Sequence, residues 1–252
     1  MAKLFIDTAN LEEIKGALDR GFVGVTTNPS LLAKEPKGNY MAHLGKIVDL
    51  INGYPLHDGT LPSLSVEVFT SDPEEMVKQA KEFRDTLKYP NLAVKIHITH
   101  QNKDNLAVIR ELSRDGIQVN CTACMTVYQA TMAAAAGSRF VSLFWGRIKD
   151  GGNPGVKFAA AHSEILEKKI LHPNDFDPRI VVSETRHILD KHYPKSEIIA
   201  GSIRSAIDIK EASLAGSHIV TIPPKFIPHM IGHYKTEEVV DQFLSDFQAW
   251  LS

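Results

Sequence analysis

Leu92-Ala93-Val94-Lys95-Ile96-His97-Ile98 is the stretch that decides how this chain is read. Its length suits a strand, and its nearly continuous apolar character suits one covered on both faces, as in a parallel sheet. Lys95 stands in its middle. An ammonium there must be paired, reach water or lose its proton, because desolvation favours the neutral amine and lowers a lysine pKa from about 10.4. A neutral amine in a pocket attacks ketones and aldehydes to form a Schiff base. Taken alone, the run reads more simply as a lysine that snorkels to solvent or pairs with a carboxylate. The surrounding sequence has to decide.

Outward from this run, seven others alternate with helix-like segments: Leu4–Thr8, Val23–Asn28, Leu64–Thr70, Ile117–Cys121, Phe140–Trp145, Glu197–Ser202 and His218–Ile222. Glu74–Leu87 shows 3.6-residue spacing through Met76, Val77, Ala80, Phe83, Arg84 and Leu87, with Ser71 or Asp72 as cap and Pro73 in the first turn. Asp104–Arg114, Thr126–Ala136 and Ala206–Ala215 each run into a glycine stop. Eight strand–helix units in one direction predict a closed parallel barrel, and 252 residues is the usual size of a (β/α)8 TIM barrel. We expect a single α/β domain over residues 1–252. The runner-up, a doubly wound sheet, lacks its glycine-rich fingerprint after the first strand, where Asp7-Thr8-Ala9-Asn10 stands instead. Asn52–Pro62 reads as a turn-rich connection. Asp150–Lys195 reads as an insertion after the sixth strand, with two helices around Leu171–Pro178. Thr236–Ser252 reads as an amphipathic terminal helix whose apolar side is Val239, Val240, Phe243, Phe247 and Leu251.

Alternation along each strand sorts the polar residues. With Lys95 inward, Ala93 and His97 share its face. Turning the aliphatic residues outward places Asp7, Thr26, Asn28, Glu67, Asn120, Thr122, Ser142 and Ser202 inward, mostly toward the C-terminal strand ends where barrel active sites form. Each has an ordinary explanation. Asp7 can cap the helix near Leu11, Asn28-Pro29-Ser30 can be a turn or cap, and Glu67 can pair with a lysine. Together they are harder to explain as structure, because buried charges are costly unless compensated. A water-accessible pocket holding Lys95, Asp7 and Glu67 removes that difficulty and supplies proton donors and acceptors for imine chemistry. Arg147 and Arg204 follow the sixth and seventh strands. With Ser202 they suit a phosphate, although two solvated loop arginines would look the same.

Composition bounds the alternatives. A net charge of −2 gives no general pull toward nucleic acid or anionic membrane. No apolar run approaches the roughly 20 residues of a membrane span, and the start lacks the apolar core of a signal peptide. Two cysteines make no disulfide framework. These features lead us to expect a cytoplasmic protein.

At these residues the chain resembles the transaldolase family, class I Schiff-base enzymes with a (β/α)8 barrel, over almost its whole length. The resemblance rests on Phe5-Ile6-Asp7-Thr8, Val25-Thr26-Thr27-Asn28-Pro29-Ser30-Leu31-Leu32, Ser65-Val66-Glu67-Val68, Val94-Lys95-Ile96, Val119-Asn120-Cys121-Thr122, Val141-Ser142-Leu143-Phe144-Trp145-Gly146-Arg147-Ile148 and Ala200-Gly201-Ser202-Ile203-Arg204. It implies that Lys95 attacks the C2 ketone of a ketose phosphate. It also implies that Asp7 moves the proton of the C4 hydroxyl, and that Glu67 with Thr122 handles the water. Thr26, Asn28, Asn120, Ser142 and Phe144 would line the sugar site, with Asn28, Asn120 and Ser142 holding the dihydroxyacetone hydroxyls. Arg147, Ser202 and Arg204 would hold the phosphate. Neither metal nor organic cofactor is implied. The partners are sugar phosphates, with a homo-oligomer expected and no nucleic acid or membrane.

Fructose-6-phosphate aldolases are similar in size. They carry glutamine where Glu67 stands and tyrosine where Phe144 stands, and they lack the asparagine and serine seen here at 120 and 142. The chain sides with transaldolases at all four positions. Two residues depart from the family pattern. His97 replaces a small residue or proline and Trp145 a smaller one, so both are expected to fill or re-tune the pocket, with another anionic ketose such as sulfofructose as the alternative substrate. His97 reads equally as a buried, hydrogen-bonded histidine. A barrel that binds sugar phosphate without catalysis is the rival from another class. It has no need for an amine between carboxylates.

Other signals carry less. Cys121-Thr122-Ala123-Cys124 fits C-x-x-C without a thioredoxin-type context or a second pair for zinc. His97 with His100, and His229 with His233, lack further ligands at metal spacing. Gly151-Gly152-Asn153-Pro154-Gly155 reads as a turn.

Overall fold

The computed structural model describes residues 2–251. Eight strands close into a parallel barrel in chain order, the last pairing back onto the first: β1 (Lys3–Asp7), β2 (Gly24–Thr26), β3 (Ser63–Glu67), β4 (Leu92–His97), β5 (Gln118–Cys124), β6 (Phe140–Phe144), β7 (Glu197–Gly201) and β8 (Ile219–Ile222). Every expected run is a strand of this (β/α)8 barrel, with shifted ends. Lys95 of β4 lies in register with Glu67 of β3 and Asn120 of β5, so three inward polar residues from adjacent strands share a level.

The helices follow local chemistry. α1 (Leu11–Leu18) is capped by Asn10, whose side chain accepts from Glu12 and Glu13 backbone N–H groups, so Asp7 is freed from the capping role considered above. Asn28 caps the short α2 (Pro29–Leu32), its side-chain Oδ1 accepting from Leu31 N at 3.0 Å. Asn39 caps α3 (Tyr40–Asn52). Asp72 caps α4 (Pro73–Leu87), which buries Met76, Ala80, Phe83 and Leu87 while Arg84 stays outside. α5 (Leu106–Arg114) starts later than Asp104, because Thr99–His100 and Lys103–Asp104 pair as a small antiparallel hairpin. Left-handed φ values of 48° and 62° at Gln101 and Asn102 close its turn. α6 (Val127–Ala136) ends on Gly137 at φ 108°, the αL cap that a glycine adopts freely.

The insertion after β6 holds α7 (Trp145–Gly151), α8 (Gly155–Glu167), a 3-10 turn at Pro173–Phe176 and α9 (Pro178–His192). The expected pair of helices flanks that turn. α10 (Ala206–Leu214) precedes β8, and α11 (Ile227–Ile231) leads into α12 (Tyr234–Leu251), none of whose residues is buried.

Two apolar regions hold the barrel together. The larger lies between strands and helices. The smaller fills the inside of the barrel with Phe5, Ala93, Phe140, Ile199 and Ile219, from β1, β4, β6, β7 and β8. A Cβ on Gly24 would meet the Phe5 ring at 2.6 Å, so a glycine in β2 is what makes room for this plug. Lys95 stands two residues beyond Ala93 on the same face, directly above it.

Cys121 and Cys124 are free, buried and 3.7 Å apart at sulfur. They bracket a register shift in the β5–β6 pairing, where Ala123 takes a left-handed φ of 59°. This irregularity carries β5 past the Cys121 end expected from the sequence.

Candidate active site

Above the plug, the strand ends enclose a cavity of about 450 Å³. Lys95 lies at its floor and is only 6 % exposed. Its Nζ donates to the Thr27 carbonyl oxygen at 2.8 Å and lies 3.7 Å from Glu67 Oε2. Asp7 lines the same cavity and accepts from the Thr26 hydroxyl at 2.7 Å, which in turn meets the Thr221 hydroxyl. Burial pushes the Asp7 carboxyl above its usual value, while Lys95 and the Thr26 hydrogen bond pull it down. Burial likewise raises Glu67 against the pull of Lys95, and Asp7 adds to the rise. Two carboxyls that hold protons more readily than usual thus flank one amine, an arrangement suited to moving protons to and from a bound carbonyl.

Thr26, Asn28, Ser142, Phe144, Arg147 and Ser202 line this cavity with Asp7, Glu67 and Lys95, so nine of the twelve expected site residues meet there. Asn120 is fully buried and is not part of this lining. Its amide donates to Ser65 Oγ at 3.1 Å, and its carbonyl oxygen accepts from Ser142 Oγ at 2.7 Å, so Asn120 orients Ser142 from beneath. Thr122 is buried at the next inward position of β5. Arg204 is turned aside. Its Nη1 and Nη2 donate to the two carboxylate oxygens of Asp150, each at 2.6 Å. Arg147 lies 3.5 Å from the same Asp150, so one carboxylate stands between the two arginines.

Ser202 adopts a left-handed φ of 56° and its carbonyl oxygen accepts from Gly146 N at 3.1 Å. A Cβ at 146 would come within 2.5 Å of Arg204 Nε, so glycine there lets the arginine cross the end of β6. Among the described residues no group of three or more His, Cys, Asp or Glu side chains is placed to hold a metal ion. A larger hollow of about 800 Å³ opens between α1, α2 and α3 and contains neither Lys95, Asp7 nor Glu67.

The family model described as Transaldolase/Fructose-6-phosphate aldolase matches residues 4–251. The chain belongs to this family. Among its relatives, the probable transaldolase of Geobacillus sp. (strain WCH70) is 36 % identical over 248 residues, covering 97 % of this chain and 98 % of that one. That of Carboxydothermus hydrogenoformans is 35 % identical over 248 residues, with 98 % of each covered. That of Clostridium botulinum (strain Hall) is 34 % identical over 247 residues, covering 98 % and 96 %.

The transaldolase-family barrel here also uses residues that the sequence reading passed over. Thr27 supplies the carbonyl that holds Lys95, and Thr221 extends the hydroxyl chain from Asp7. A signal for Thr221 existed, since it is the polar residue in the apolar run Ile219–Ile222. Thr27 acts through its backbone, for which side-chain chemistry gives no sign. His97 does not line the cavity, and Trp145 likewise corrects the expectation that it fills the pocket. It is fully buried, and its indole N–H donates to Asp208 Oδ1 at 3.1 Å. Asp208 also receives Lys149 Nζ and the backbone N–H of Arg204, so Trp145 fastens α7 to α10 and takes no part in lining the cavity.

Proposed function

We propose that this protein is a transaldolase that moves a dihydroxyacetone unit from a ketose phosphate, fructose 6-phosphate or sedoheptulose 7-phosphate, to an aldose phosphate. Lys95 Nζ adds to the C2 carbonyl. The carbinolamine loses water with a proton supplied through Glu67, leaving an iminium. Asp7 takes the C4 hydroxyl proton, the C3–C4 bond breaks, and its electron pair passes into the iminium to give an enamine as the aldose phosphate departs. C3 then attacks the acceptor aldehyde, Asp7 returns the proton, and water adds to the new iminium to release product and free Lys95. The protonated nitrogen is the electron sink throughout.

The observation that carries this reading is Lys95, 3.7 Å from Glu67 and sharing one cavity with Asp7. Glu67 also favours transfer over simple aldol cleavage, because the aldolase branch carries glutamine there. Thr26, Asn28, Ser142 and Phe144 surround the three-carbon fragment, Asn120 steadies Ser142, and Thr122 helps Glu67 with the water. Arg147, Ser202 and Arg204 take the phosphate. Such an enzyme would serve pentose phosphate interconversion in the cytoplasm as a one-domain protein. The bare apolar side of α12, with Phe243, Phe247 and Trp250 all exposed, supports a homo-oligomer.

Borohydride treatment with fructose 6-phosphate, followed by mass spectrometry, tests the reading. A three-carbon adduct on Lys95 is expected, and an adduct elsewhere or none overturns it. A coupled assay separates transfer from cleavage. Sustained, multiple-turnover release of glyceraldehyde 3-phosphate only when erythrose 4-phosphate is present means transfer, and sustained release without acceptor means aldolase.

A further inference from the structure

His97 is the next residue beyond Lys95 on the inner face of β4, and it lies in register with Thr122 of β5. Adjacent strands run about 4.8 Å apart, so the two side chains are neighbours. Thr122 is 1 % exposed. Its hydroxyl and the Nε2 of His97 are both buried, and neither has a hydrogen-bond partner among the described residues. Native proteins pair such groups, with protein atoms or with water, and a buried water settles where two or more polar atoms converge.

The position of His97 is fixed. Asn105 Nδ2 donates to its carbonyl oxygen at 2.9 Å, and Ile98 N donates to the Thr122 carbonyl oxygen at 3.1 Å, continuing the pairing past both residues. The His100 ring meets the His97 ring edge-on, centroids 6.0 Å apart. Burial and the neighbouring His100 hold His97 below its ordinary pKa, so the ring is neutral near pH 7 and one of its nitrogens is an acceptor.

We propose that His97 is a positioning residue of the Lys95 site, its Nε2 and the Thr122 hydroxyl together holding the water that hydrolyses the imine. This rests on the transaldolase reading above and adds to it a residue outside the machinery set out there. The water donates one hydrogen bond to His97 Nε2 and keeps an oxygen lone pair free. In the hydrolytic step that oxygen bonds to C2, the C=N π pair returns to nitrogen, and the water's other proton passes to the Glu67 carboxylate. His97 itself gains and loses no proton. Cleavage of C3–C4 uses Asp7 and no water, so it is independent of His97.

The test uses full-length Asp7→Asn enzyme, in which C3–C4 stays intact and the adduct on Lys95 is the fructose 6-phosphate imine itself. The charged enzyme is moved to sugar-free buffer and loss of the borohydride-trappable adduct is followed. His97→Leu is expected to slow this loss at least about tenfold, the scale on which misplacement of a reactant acts. Imine formation expels its water at the same place, so by microscopic reversibility the burst of glyceraldehyde 3-phosphate, read with Asp7 intact, should slow with it. Inhibition by inorganic phosphate, which involves no imine, should not move. His97→Gln, whose amide reaches the place of Nε2, should restore the rate close to that with His97. Equal decay with and without His97→Leu, slower decay with imine formation unchanged, or a Gln variant no better than Leu overturns the proposal. An adduct that never forms on Lys95 in wild type sinks the transaldolase reading instead, which keeps the two failures apart.

Discussion

Asp150 grips Arg204 end-on, one carboxylate oxygen to each terminal guanidinium nitrogen at 2.6 Å. With Arg147 3.5 Å away, the carboxylate stands between two arginines, the place the proposed function gives to a phosphate ester. A dianionic substrate must therefore share or displace it. Replacing Asp150 by Asn keeps the shape and removes the competing charge. The KM for fructose 6-phosphate is expected to fall by up to about fivefold, the scale of an exposed ion pair. The value for an unphosphorylated donor should not change, and steady-state kinetics on both donors checks this. A rise in KM would mean that Asp150 orients Arg204 for the substrate.

Asp7 and Glu67 link activity to stability. Burial raises the folded-state pKa of Asp7 above its ordinary 3.8, so the fold prefers the neutral acid. That contribution is fully present below the unfolded value and is lost as pH rises through the raised folded value. At neutral pH the carboxylate is thus a burden on the fold. Asp7→Asn, which can still accept from Thr26, should melt above wild type at pH 7–8, with the gap closing by about pH 3. Calorimetry across that range checks the sign, and transfer should drop about 100-fold or more. Glu67→Gln should behave alike in stability and slow transfer, and an unchanged rate would remove Glu67 from the site.

Trp145→Phe loses the hydrogen bond to Asp208, a buried carboxylate, and part of a filled volume. A cost of about 2–4 kcal/mol in urea unfolding is expected. Adduct formation on Lys95 should survive in the folded fraction, because Trp145 does not line the cavity.

Gly24→Ala tests the interior plug. A methyl group 2.6 Å from the Phe5 ring forces one of them to move. Overpacking of this kind costs about 1–3 kcal/mol. Stability equal to wild type would show that the Phe5 ring has room to turn away.

The barrel was legible because burial on both faces writes each parallel strand as an apolar run, and glycine stops separate the units. Inward polar residues then stood out against that background, which is why Asp7, Glu67, Lys95 and Ser142 were found together. Tertiary partners left no such trace. Nothing local announces that Asp150 reaches Arg204 across 54 positions, or that Trp145 turns toward Asp208. The hairpin at Thr99–Asp104 was missed because Gln101 and Asn102 take left-handed conformations without a glycine.

Phe5, Phe140, Ile199 and Ile219 stopper the cylinder below Lys95, so nothing reaches the amine from beneath. Donor and acceptor sugars cannot wait on opposite sides of the amine. On the proposed transaldolase reading, the first product has to vacate before the second substrate enters, so the order of events in a two-substrate exchange is imposed by an architectural dead end, with no moving part required.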